Sequence, residues 1–101
     1  ALTNMNQDII RVASTSVPNR VAGAIAKTVR EKQHVEVQAI GADAVNRMLK
    51  SVALAQQYVH RDELAISCIP SYVEVTIDGQ SLTAINLLVM VDRLDGQETA
   101  L

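Results

Sequence analysis

The sequence predicts an α+β domain in the order βαβαββ, one mixed four-stranded sheet with two helices packed on one of its faces. Three observations carry this reading. Apolar residues recur at helical spacing over 18–32 and again over 42–59. A short apolar stretch precedes each of these segments, at 9–13 and at 35–40. From Leu64 onward the period falls to two and continues on both sides of Asp78-Gly79.

Taken in order, Ile9-Ile10-Arg11-Val12-Ala13 reads as the first strand and Ser14-Thr15-Ser16 as a loop. Pro18 suits the first turn of a helix, and Ser16 is placed to cap it. Along that helix Val21, Ala22, Ile25 and Val29 share a face, opposite Arg20, Lys27, Arg30 and Glu31. Val35–Ile40 alternates as a second strand, and Gly41 ends it. The second helix is expected to turn Val45, Leu49, Val52, Ala53 and Val59 inward, with Asp43 favourably placed near the positive end of its dipole. In the third strand Leu64, Ile66 and Cys68 share one parity, whereas Val73, Val75 and Ile77 share the other. The change falls across Pro70-Ser71, which predicts a bulge that keeps all six on one face. Asp78-Gly79 is a two-residue hairpin signal, with the last strand over 83–91.

A chain of 101 residues supports one domain. The expected division is a flexible segment at 1–8, the folded domain at 9–91 and a polar tail at 92–101. With two Tyr and no Trp or Phe, the core must be aliphatic. No apolar run approaches the ~18 residues of a membrane span. The lone Cys68 rules out an internal disulfide framework and suits a reducing cytoplasm. The net charge of −2 is unevenly spread. Residues 1–61 hold eight basic and four acidic side chains, and residues 62–101 hold one basic and seven acidic. A polyanion should therefore meet the first part and be repelled by the second.

Catalytic and metal chemistry find little support. His34 and His60 stand at helix ends without ligand spacing to Cys68, which reads as a buried apolar thiol. Gly41-Ala42-Asp43 lies between strand and helix like a phosphate loop. It has one glycine where a dinucleotide fingerprint has three, and it is read as an ordinary turn. No enzyme activity, metal, cofactor or small-molecule substrate is expected.

The basic positions are the better candidates. Arg47 and Lys50 lie three apart on the outer face of the second helix, beside Asn46. Arg20 opens the first helix next to Asn19 and the loop that holds Ser14 and Ser16. Together these seven residues offer charge for phosphates, and amides and hydroxyls for positioning. Without an aromatic platform, bases would go unread, so binding would follow the backbone of DNA or RNA. A second surface is expected for self-association. Leu54 and Tyr58 fall on the polar side of the second helix, with Gln56 inside its apolar stripe facing a subunit boundary. Leu82, Leu88 and Met90 add an apolar hairpin.

Three stretches carry a family likeness: SVPNRVAGAIA at 16–26, VQAIGADAVNRMLKSVALA at 37–55, and CIPSYVEVTIDGQSLTAINLLV at 68–89. On these the chain resembles the stage V sporulation protein S family, whose members are small Alba-like domains. The resemblance implies the βαβαββ order, dimers or tetramers, and nucleic-acid binding in bacterial development. It also implies Lys, Arg, a basic residue and Lys at the positions of Thr15, Gln56, Leu82 and Asn86, and Gln at the position of Arg47. Four cations are thus missing and one is gained, each loss weakening phosphate binding. The leading expectation is a non-enzymatic, cytoplasmic, Alba-like nucleic-acid-binding protein that forms homo-oligomers. The alternative is a self-assembling structural protein that has lost nucleic-acid binding.

Overall fold

The computed structural model describes residues 9–94. Its elements are β1 (Ile9–Val12), α1 (Pro18–Lys32), β2 (His34–Ala39), α2 (Ala42–His60), β3 (Leu64–Ile77) and β4 (Gln80–Arg93). The expected flexible segment at 1–8 and all but residues 92–94 of the expected tail lie outside the described residues. β4 continues through Asp92 and Arg93, so the last strand is longer than its apolar run. The sheet order is β1-β2-β4-β3, with β1 parallel to β2 and β4 antiparallel to both its neighbours. This is the predicted mixed four-stranded sheet.

Local chemistry sets the boundaries. Pro18 starts α1, but Ser16 does not cap it: the N-cap position is Val17, with no side-chain hydrogen bond. The Ser16 hydroxyl instead accepts from the Ala13 amide at 2.8 Å, and the Ser16 amide donates to Ala13 O at 3.0 Å. Gly41 holds φ at 90°, a left-handed value that a side chain would resist, and so lets β2 turn directly into α2. Asp78 and Gly79 both have positive φ, as a two-residue hairpin turn needs.

The core is aliphatic, as expected. Ile25 and Val29 of α1, Met48 and Val59 of α2, Val35 and Val37 of β2 and Val89 of β4 are fully buried. The inward face of α2, however, is Ala44, Met48, Ser51, Ala55 and Val59. Leu49 is 52% exposed and Ala53 is exposed, whereas Val45 and Val52 are half-buried on the flank. The observed stripe is rotated from the expected one because it runs through Ser51, a polar residue that a count of apolar positions passes over. Ser51 is buried because its hydroxyl donates to the Arg47 carbonyl at 2.7 Å one turn back, which removes its need for water.

The expected bulge at Pro70-Ser71 is absent. β3 and β4 pair without interruption from Leu64↔Arg93 to Ile77↔Gln80. Pro70 fits a regular ladder because β3 is an edge strand. The even-numbered residues point their backbone groups away from β4, as the capping of Leu64 O and Ile66 N by Gln56 shows. Pro70 shares that parity, so its missing N–H removes no β3–β4 hydrogen bond. With the register unbroken, the parity change moves the apolar residues to the other face of the sheet. Leu64, Ile66 and Cys68 pack toward the helices. Val73, Val75 and Ile77 point away from them. β2 ends opposite Ile85, so residues 73–84 form a two-stranded arm beyond the four-stranded part, in a molecule 50 Å long.

Candidate nucleic-acid interface

The strand directions put the carboxyl ends of β1 and β2 and the amino ends of both helices at one end of the molecule, the end from which the arm projects. There the loop after β1 meets the first turns of α2. Arg47, half-buried, reaches across and donates from Nη1 to the Ser16 carbonyl at 3.2 Å, tying the loop to the helix. The resulting cleft, of about 310 Å³, is lined by Ser14, Pro18, Asp43, Asn46, Arg47 and Lys50.

Four of the seven predicted binding residues therefore meet: Ser14, Asn46, Arg47 and Lys50. Ser16 contributes its carbonyl to the tether, while its hydroxyl is committed within the loop. Asn19 and Arg20 are exposed on the first turn of α1 and do not line the cleft. Asp43, in the first turn of α2, lines this same cleft and opposes an anion there. Two cations and one carboxylate leave the lining at a net charge of about +1, taking Arg and Lys as charged and Asp as ionised.

The residues predicted for self-association separate into two groups. Leu54 and Tyr58 are half-buried and pack against the chain's own core, and the Tyr58 carbonyl accepts from Arg30 at 2.8 Å. Gln56 does not depend on a second subunit for its hydrogen bonds. Its Nε2 donates to Leu64 O at 3.1 Å, and its Oε1 accepts from the Ile66 amide at 2.6 Å. Leu82, Leu88 and Met90 lie together on the sheet face away from the helices, all half-buried. On that same face Asn86 is 6% exposed, and its Oδ1 has no hydrogen-bond partner.

Elsewhere the chemistry is quiet. Burial pushes the half-buried Cys68 thiol above its ordinary pKa, so it is neutral and a poor nucleophile near pH 7. His34 and His60 are exposed, and no group of three metal-binding side chains comes together among the described residues. On the arm the Glu74 carboxylate accepts from Thr83 Oγ1 and Ser81 Oγ, each at 2.8 Å, and these bonds lower its pKa. The arm thus keeps a negative charge near the end that carries the cleft.

A family model for stage V sporulation protein S matches residues 8–92. The chain belongs to the stage V sporulation protein S family. The match spans every strand and helix except the last residue of β4. Family membership makes this a small, sporulation-related bacterial protein, and the family is not a known enzyme family. Among the described residues, no helix is long and apolar enough to cross a membrane.

Proposed function

We propose that this sporulation-family protein is a non-enzymatic, cytoplasmic nucleic-acid-binding protein that contacts phosphates through the cleft at the start of α2. The observation that carries the reading is the cleft itself: Asn46, Arg47 and Lys50 of α2 meet Ser14 from a separate loop, with Arg20 on the neighbouring helix. Cations with hydroxyl and amide donors are the usual equipment for holding a phosphate backbone. The scarcity of aromatic residues supports backbone contact over base reading, since neither Tyr belongs to a stacking platform. Asp43 makes the contact weak, so binding belongs to low or moderate salt.

The test is an anisotropy titration with labelled duplex and single-stranded DNA and RNA. Lys50 is exposed and, unlike Arg47, is not part of the loop tether, so it is the cleaner site for charge reversal. Lys50→Glu should weaken binding by more than roughly tenfold, since a phosphate contact becomes a repulsion. Asp43→Asn should strengthen it by about fivefold, the expected result of removing one nearby repulsion of ~1 kcal/mol. Affinity that ignores both substitutions would place binding elsewhere. No binding by any probe in low salt would favour the assembly reading, in which cation loss has removed this function.

A further inference from the structure

The two edge strands of the sheet meet where the strand order would keep them apart. β1 and β3 lie at opposite margins. Yet one hollow of about 210 Å³ is lined by Arg11 of β1, Gln38 of β2, Ile40 just beyond it, and Val75, Thr76 and Ile77 of β3. The arm therefore curls over the sheet face turned away from the helices. The same curl accounts for the burial of Ala84 and Asn86 on a face that no helix covers. Across that face Arg11, Gln38 and Asn86 are register neighbours on β1, β2 and β4. This polar row begins at a cation and ends at an acceptor. Arg11 is exposed and makes no hydrogen bond or ion pair with another described residue. Asn86 Oδ1 is buried and has no hydrogen-bond partner. Buried acceptors are seldom left so in native folds, and each one calls for a donor.

From this geometry we infer that the hollow under the arm binds a small aliphatic hydroxy acid. Its carboxylate meets Arg11, with the Gln38 amide beside it, and its hydroxyl donates to Asn86 Oδ1. The chain between them lies along Ile40, Val75 and Ile77. The span fits: two strand spacings of ~4.8 Å put the ends of the row about 10 Å apart at the backbone. The long Arg11 side chain shortens that gap to the reach of a short carbon chain. The volume fits as well. It equals that of about seven water molecules at ~30 Å³ each, below the ~300 Å³ at which sites for drug-sized ligands begin. The charge favours an anion, because Arg11 is the only ionisable side chain on the lining. Glu36 lines a separate hollow with Leu88 and Met90, and the Glu74 carboxylate is engaged by Ser81 and Thr83. With no general base on the lining, the ligand is held and not turned over.

The test follows amide and methyl shifts of the whole chain by NMR during titration with 6-hydroxyhexanoate. Two comparison probes are hexanoate, which lacks the hydroxyl, and 1,6-hexanediol, which lacks the charge. The hydroxy acid should shift Gln38, Ile40, Val75 and Ile77 and saturate at about millimolar concentration, the strength expected of so small a ligand. Hexanoate should bind roughly fivefold more weakly for one lost hydrogen bond, and the diol at least roughly tenfold more weakly. Arg11→Gln alters an exposed side chain, so the free protein should keep its folded spectrum. Its affinity for the hydroxy acid should fall at least roughly tenfold. Absence of shifts in the wild type would overturn the inference, as would shifts at Asn46 and Lys50 of the cleft in place of the hollow. So would full affinity in Arg11→Gln, or equal affinity for hexanoate or the diol. None of these readouts involves nucleic acid, so their failure leaves the cleft reading to its own test.

Discussion

An amide side chain presents a donor group beside an acceptor group, and so does the exposed margin of a β-strand. Gln56 uses that match. It occupies the edge of β3 as a neighbouring strand would, satisfying Leu64 O and Ile66 N with one side chain. Gln56→Leu keeps the bulk and leaves both backbone groups without that partner, so it should destabilise the fold by about 1–3 kcal/mol in urea unfolding. The Ile66 amide should exchange faster with solvent in the same variant. Wild-type stability in Gln56→Leu would mean that water replaces the side chain without loss. Glu74 gives a second test at this scale. Its folded pKa is depressed, so the two bonds it accepts stabilise the arm above the ordinary glutamate pKa and are lost as pH falls through the folded value. An NMR titration should find the Glu74 pKa below that of a model peptide, and Thr83→Ala should move it back up. An unshifted Glu74 would remove the argument for a persistently anionic arm.

Whole elements were more legible in the sequence than the faces they present. Both helices, all four strands and the Asp78-Gly79 turn follow from periodicity and turn chemistry, because those signals are local. The phase of α2 did not follow, since a serine bonded to its own helix looks polar in sequence and behaves as a small core residue in the fold. The two phases make opposite predictions. Met48→Ala should cost about 2–5 kcal/mol as a buried truncation, whereas Leu49→Lys should stay within about 0.5 kcal/mol. Equal losses at both sites would contradict the observed phase. The absent bulge has a related cause. Alternation reports which residues are apolar and not which side of a sheet is covered. A parity change by itself therefore fits a bulge as well as an unbroken strand, and here it marks a change of the face presented. Pro70 could not decide between a bulge and an edge until the strand order was known. The Arg47–Ser16 tether joins residues 31 positions apart, and no spacing rule finds such a contact.

At the scale of the molecule, the charge division seen in sequence becomes spatial, though not cleanly. The cleft draws its cations from the basic first part, and the arm that leaves the same end carries Glu74 and Asp78 from the acidic second part. A phosphate backbone approaching the cleft must keep clear of that arm, so few contacts are available, from Arg47 and Lys50 with Arg20 at the margin. Counterion release turns this scarcity into a number. The most direct measurement of the central claim is the affinity of the full chain for duplex DNA across a salt series, repeated with Lys50→Glu. The cleft predicts a log–log slope of about −2 to −4, made shallower by roughly one in the variant. A flat salt dependence, or a slope that Lys50→Glu leaves unchanged, would contradict it.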